Sequence, residues 1–304
     1  MLIAVTGGTG FLGRYIVRHL VSQGHSLRCW HRPNSDLTGF EDIAEQIEWV
    51  RGELGDVVST VELVSGTDAV VHAALEWDHF GGQRSPTDDN FLPFMLKNVM
   101  GSLRLMHTAH RSKVGRFILI STCAVHEIIL DDRPLDETHP LWPTSHYGAH
   151  KAALEKFVHS YGLGKEAWPI CALRPTGIYG LAHQLRDSKW YDLVGQVIRG
   201  ERIESNKGGK EVHAADVAKA VALLLEVEAE LIVGQAINCY DLYVAEQDVA
   251  QIAKEMSGSP SVVMDLNQGP KNQIETGFME SLGMQFGGEP LLEQTIEQLV
   301  QAQI

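Results

Sequence analysis

Six residues into the chain, an apolar run gives way to glycines: Leu2-Ile3-Ala4-Val5 is followed by Thr6-Gly7-Gly8-Thr9-Gly10-Phe11-Leu12-Gly13. The apolar run reads as a buried strand. Residues 11–21, with Leu12, Ile16 and Leu20 on one face, read as a helix. Glycines at a strand-to-helix junction permit a tight turn, let the backbone approach a pyrophosphate, and let the helix pack closely on the strand. The phosphates then meet amides at the helix N-terminus. A turn with no ligand is the plainer alternative, but it has little use for four glycines in seven positions. The run fits two registers, GxGxxG from Gly8 or GxxGxxG from Gly7. It predicts dinucleotide contacts at Gly7, Gly10, Phe11, Leu12 and Gly13.

Strand-like and helix-like segments alternate after this loop. Residues 27–30, 48–50, 69–71, 116–121 and 169–173 are strand candidates, and 57–63, 90–110 and 146–161 are helix candidates. Such alternation implies parallel strands joined by right-handed crossovers. The expected fold class is therefore α/β, a doubly wound parallel (Rossmann) sheet. Past about Gly180 the rhythm loosens into helical patches at 191–199, 214–227, 244–256 and 291–301, with Gly-rich turns and a brief strand at 236–239. We expect a dinucleotide-binding domain over residues 1–180 that carries the catalytic helix. Residues 181–304 should form a smaller C-terminal substrate-binding lobe, with one strand free to return to the main sheet.

Composition narrows the partners. The 304 residues carry a formal net charge of −14, which argues against a broad basic surface for nucleic acid or a membrane. An anionic cofactor is still compatible, because local amides and cations outweigh distant charge across a screening length of ~8 Å. The cysteines Cys29, Cys123, Cys171 and Cys239 show no CxxC and no Cys/His ligand spacing. No disulfide and no metal is expected, and a reducing cytoplasm is the simplest compartment. No signal-peptide pattern opens the chain, and no run approaches the ~18 apolar residues of a membrane span.

An NAD-preferring site usually carries Asp or Glu at the end of the second strand, for the ribose hydroxyls. Here the strand ends Arg28-Cys29-Trp30-His31-Arg32-Pro33, with no acid. Arg32 facing a 2′-phosphate, assisted by His31, favours NADP over NAD; the alternative is an arginine that only caps a strand in solvent. Further on, Tyr147-Gly148-Ala149-His150-Lys151 sets a phenol and an ammonium one helical turn apart. A tyrosine near pKa 10 is a poor proton shuttle at neutral pH, and an adjacent ammonium stabilises its phenolate. YxxxK alone is common by chance in amphipathic helices. Its weight comes from Ile118-Leu119-Ile120-Ser121-Thr122, which delivers two hydroxyls to the carboxyl edge of the sheet, where ligands collect. Thr122 is preferred over Ser121 as the hydroxyl that orients a substrate oxygen.

With these motifs together, the chain resembles the extended short-chain dehydrogenase/reductases, the group that includes the NAD-dependent epimerase/dehydratase family. The resemblance also covers Gly52-Glu53-Leu54, His72-Ala73-Ala74, Asn98-Val99-Met100-Gly101-Ser102, Ser121 to Val125, Leu173-Arg174-Pro175-Thr176-Gly177-Ile178-Tyr179-Gly180 and Val212-His213-Ala214-Ala215-Asp216-Val217. It implies Tyr147 as acid/base, Lys151 as both modulator of Tyr147 and ribose ligand, and Thr122 as the orienting hydroxyl. It further implies cofactor contacts at Glu53 and Leu54 beside adenine, at Ala73 and Ala74, and from Pro175 to Ile178 against the nicotinamide. Asn98 becomes a polar insert near the site, or a residue that bends its helix.

Four departures restrict the reaction. Sugar-nucleotide 4,6-dehydratases of this group carry Asp-Glu directly after the threonine, where this chain has Cys123 and Ala124, so dehydration is not expected. Members that bind a nucleotide diphosphate usually have arginine four residues before His213, where this chain has Gly209. Lys207 or Lys210 is the substitute at hand, without the guanidinium fork. The missing acid on the second strand suits an exchangeable NADP(H) and net reduction. Histidines at 126, 146 and 150 raise a metal or relay reading, set against simple polar substitution, which is preferred. The aromatic loop 76–82 could cover the cofactor or pack on the lobe, and Trp142, Trp190 and Tyr191 read as pocket lining or core.

The leading expectation is an NAD(P)-dependent oxidoreductase that acts on a small-molecule carbinol or carbonyl through Thr122, Tyr147 and Lys151. A sugar-nucleotide epimerase with the same triad and a catalytically idle dinucleotide sensor are the alternatives. By analogy with relatives, helices 90–110 and 146–161 would form the bundle of a homodimer.

Overall fold

The computed structural model describes residues 1–76 and 90–304. Its centre is a parallel sheet whose strands are apolar on both faces, as burial under helices on two sides requires. The chain runs β1 (Leu2–Thr6), α1 (Phe11–Ser22), β2 (Ser26–His31), β3 (Ile47–Arg51), α2 (Val57–Val64) and β4 (Ala69–His72). It continues through α3 (Phe91–Met95), a π-helical turn (Leu96–Met100), α4 (Gly101–Arg111), β5 (Arg116–Ile120), α5 (His146–Gly162) and β6 (Ile170–Pro175). The seven strands lie in the order β3-β2-β1-β4-β5-β6-β9, where β9 is Ala236–Cys239. Each neighbouring pair is parallel. The order reverses between β1 and β4, which opens a crevice at the carboxyl ends of those strands.

The chain past residue 180 serves both this sheet and a separate layer. Helix α7 (Ala214–Glu226) packs beside α1, with Val217, Val221 and Leu224 joining Ile16, Val17 and Leu20 over Val5, Val71 and Ile118. On the opposite face Leu105, Met106, Leu154 and Val158 cover Ala4, Val70, Phe117 and Leu119. A second, three-stranded sheet joins β7 (Gly177–Tyr179), β8 (Gly208–His213) and β10 (Leu242–Ala245). Its own core uses Val194 and Val197 of α6 (Tyr191–Ile198), Val244 and Val249, and Leu292, Ile296 and Leu299. The short α8 (Ala229–Ile232) precedes β9; α9 (Glu246–Ser257), α10 (Gly277–Ser281) and α11 (Gly288–Gln301) complete the chain.

The helix expected at 90–110 is one rod with a bulge. Asn98 explains it: its Nδ2 donates to the Phe94 carbonyl at 3.2 Å, taking the acceptor one turn back, and the ladder slips by one residue.

Candidate active site

Local geometry forces glycine at two positions of the first loop. Gly7 sits at φ +74°, and a Cβ there would meet the Ala73 and Ala74 backbone at 2.8 Å. A Cβ on Gly13 would lie 1.9 Å from the Gly7 carbonyl oxygen. Helix α1 begins with no side-chain cap and no acid in its first turn, so its leading amides face outward as an anion site. Gly7, Gly10, Phe11, Leu12 and Gly13 all line a cleft of about 440 Å³, whereas Gly8 is buried against Val17 and Cys29. Of the two registers, the one from Gly7 faces the cleft.

The same cleft gathers the rest of the expected residues. Arg32, Glu53, Leu54, Ala73, Ala74, Pro175 and Ile178 line it, together with Thr122, Tyr147 and Lys151. A second cleft of about 590 Å³ adjoins it, lined by Cys123, Ala124, His126, Glu127, Ile129, Leu135, Lys210 and Ile274 among others. Three residues, Thr122, Tyr147 and Thr176, belong to both clefts. A molecule in each would meet at these three residues.

Lys151 is buried, and its Nζ donates to the Ile120 carbonyl at 2.7 Å. Burial depresses its ammonium to about 8, opposed by the Glu155 carboxylate. Glu155 is the centre of a fully buried network. It accepts from Arg174 Nε at 3.0 Å and Nη2 at 2.7 Å, and from Ser121 Oγ at 2.5 Å. The Ser121 hydroxyl proton is thereby committed. Thr122 Oγ1 accepts from the Ala124 amide at 3.1 Å, which leaves its own proton to donate into the clefts.

Glu127 anchors the start of α5. Its carboxylate accepts from Ser145 N at 2.7 Å, Ser145 Oγ at 2.6 Å and Thr144 Oγ1 at 2.6 Å, and Ser145 in turn caps α5 through the Gly148 amide. Burial pushes the Glu127 carboxyl up, but these hydrogen bonds outweigh it and hold the group below the ordinary glutamate value. Under the sheet's edge, His72 bridges Thr6 Oγ1 and Ser102 Oγ, both at 2.7 Å. Burial and the Lys151 charge drop it to about 3, so it is a neutral strut.

Some expectations shift. Arg32 does not simply face solvent: its Nη1 pairs with both oxygens of Glu76, at 3.1 and 3.0 Å. Asn98 does two things at once, bending its helix and binding the Glu76 backbone. His150, expected on the flank of its helix, is 2% exposed, with its ring against Phe94 and Tyr147. His146 instead lies on Phe91, and His126 is 3.3 Å from Arg174. Lys210 reaches the second cleft and Lys207 does not. Trp142, Trp190 and Tyr191 line neither cleft. Of the aromatic loop, 77–82 lies outside the described residues.

Glu127 and Glu155 escaped the sequence reading, and Glu76 and Arg174 were named only as members of a loop and a motif, without these partners. Glu155 was the findable one, since it stands four residues after Lys151 on the same helical face. Glu76 and Glu127 lie in loops, where no periodicity marks them. A separate cleft of about 510 Å³ behind α1 holds none of these residues, and its Arg18 and Lys219 are paired with Asp42 and Asp216.

The fold is shared with solved structures. One is the UDP-glucose 4-epimerase of Thermus thermophilus in complex with NAD, at TM-score 0.77 and 20% identity, covering 99% of this chain and 98% of that one. Residues 3–239 match the profile of the NAD dependent epimerase/dehydratase family, and the chain belongs to it. Among curated relatives, a 3 beta-hydroxysteroid dehydrogenase/Delta 5-->4-isomerase of Mycobacterium tuberculosis is 30% identical over 197 residues, 63% of this chain. The chain spans about half that relative's length, 51%. A human dTDP-D-glucose 4,6-dehydratase is 26% identical over 84% of this chain and 72% of its own length.

Proposed function

We propose that this chain is an oxidoreductase that holds NAD or NADP in the glycine-loop cleft and a carbonyl or carbinol in the adjoining one. The observation that carries the reading is the junction of the two clefts at Thr122, Tyr147 and Thr176. When bound, the nicotinamide supplies the hydride acceptor or donor. The chain's own residues do the remaining work. Gly7 to Gly13 and the first turn of α1 receive the phosphates, and Lys151 takes the ribose. Thr122 donates a hydrogen bond to the substrate oxygen, and Tyr147 Oη transfers the proton to or from it. The Lys151 charge favours the Tyr147 phenolate and so makes that transfer easier.

Two features favour this over the chemistry of particular relatives. Cys123 and Ala124 stand where the dehydratases carry Asp-Glu, and Cys123 is a neutral thiol: burial pushes it up to about 12, and it donates to the Arg174 carbonyl at 3.0 Å. The adjoining cleft is apolar along Ile129, Leu135 and Ile274, and its lysine, Lys210, donates one of its hydrogens to the Lys271 carbonyl at 2.6 Å. That lining fits a small carbonyl with an apolar body better than a sugar diphosphate. A two-fold pairing would cover the exposed stripe of Leu92, Leu96 and Met100; a Leu96→Glu chain with the same sedimentation mass as the parent refutes it.

The decisive assay follows the reduced-nicotinamide absorbance with a panel of ketones and aldehydes. Net cofactor turnover that Tyr147→Phe lowers by about 10²–10⁴-fold, with dinucleotide binding kept, is the expected result. Epimer formation without net turnover turns the reading to an epimerase. Binding without turnover that Tyr147→Phe leaves untouched turns it to a sensor.

A further inference from the structure

We propose that Glu76 governs which dinucleotide this chain prefers, by holding Arg32 in an ion pair that a ribose 2′-phosphate would have to share. The inference rests on the dinucleotide reading of the glycine-loop cleft. That cleft is lined by both residues, and where the second strand would ordinarily bring an acid to the ribose it is followed by Arg32. The acid comes instead from the chain after β4.

Three observations fix Glu76 in place. Its carboxylate meets Arg32 through both oxygens, at 3.1 and 3.0 Å. Its side chain is 10% exposed, against 45% for Arg32, so the acid is the anchored member of the pair. Its backbone is gripped at both ends by one amide: Asn98 Oδ1 accepts from Glu76 N at 2.8 Å, and Asn98 Nδ2 donates to the Glu76 carbonyl at 3.2 Å. Because Asn98 belongs to the π-helical turn, the bulge in that helix and the position of the acid have one cause.

The charge consequence follows. A ribose hydroxyl can donate to a carboxylate, whereas a 2′-phosphate adds about −1.5 to −2 charges beside one. Arg32 then divides its attraction between two anions. Removing a single negative charge beside such a phosphate, in a water-like to surface-like dielectric, changes affinity by roughly tenfold or more. NAD is accordingly the preferred partner, and Arg32 alone does not make an NADP site.

The test is calorimetric binding of NAD⁺ and NADP⁺, and of AMP and adenosine 2′,5′-bisphosphate, to the parent chain and to Glu76→Gln, Glu76→Ala and Glu76→Asp. Melting temperatures run alongside, and Glu76→Ala makes the same charge change should Glu76→Gln not fold. In the two neutral variants the ratio of Kd for NADP⁺ to that for NAD⁺ should fall by about tenfold or more, with the two adenosine probes moving in parallel, while Glu76→Asp stays within about threefold of the parent. An unchanged ratio in neutral variants that still bind both dinucleotides overturns the proposal, as does an equal shift in Glu76→Asp. If the parent binds none of the four probes, the dinucleotide reading falls and takes this inference with it.

Discussion

The buried pair that joins α5 to β6 offers the sharpest test of how the cleft is held. Arg174 and Glu155 are 2% and 0% exposed, and two hydrogen bonds of 3.0 and 2.7 Å join them. Glu155→Gln keeps the shape, and the new amide can still accept from Ser121, but the Arg174 guanidinium loses its counter-charge inside the protein. Breaking one side of such a pair costs about 3–5 kcal/mol, since the survivor is a desolvated charge. For a chain of 304 residues that corresponds to a fall of roughly 5–8 °C in the unfolding midpoint. Thermal unfolding followed by far-ultraviolet circular dichroism reads it directly. Replacing both partners with apolar residues, Glu155→Leu with Arg174→Met, should recover part of the loss, because the guanidinium is gone, while Lys151 and Ser121 still lose the Glu155 carboxylate. A single variant within ~1 kcal/mol of the parent, or a double variant as unstable as the single, would show that the pair does not hold α5 to β6.

Other consequences can be checked separately. With Lys151 depressed to about 8 by burial, its charge is lost as pH rises through that value, and kcat/KM should fall there. Stability moves the other way: the unfolded lysine keeps its proton to about 10.4, so a penalty of ~3 kcal/mol present below pH 8 fades between about 8 and 10. A pH–rate profile flat to pH 10 refutes the first half, and urea unfolding at neutral and alkaline pH checks the second. Burial, with the Lys151 charge second, holds His150 at about 3, so the folded chain resists its protonation while the unfolded chain accepts it below about 6.5. The parent should therefore lose about 2 kcal/mol at pH 5 through this residue, and His150→Phe should remove that loss; identical acid slopes in denaturant titrations count against it. Gly13→Ala drives a Cβ to 1.9 Å from the Gly7 oxygen and should abolish dinucleotide binding by titration; a variant with parental affinity contradicts the close helix–loop packing.

Much of this protein is set by local pattern. Apolar strands alternating with amphipathic helices made a doubly wound sheet readable, because two-sided burial leaves continuous hydrophobic runs. The glycine loop, Tyr147 with Lys151, and the hydroxyls after β5 were readable because each motif is short and its spacing is its geometry. What tertiary structure alone decided involves residues far apart in sequence. Only the folded sheet brings Arg32 to Glu76, 44 positions on, and Arg174 back to Glu155. Only packing makes His150 a core residue and commits the Ser121 proton to Glu155, while Thr122 Oγ1 accepts from the Ala124 amide. Charge pairing and burial depend on distance through space, which sequence spacing encodes only within a single helix or strand.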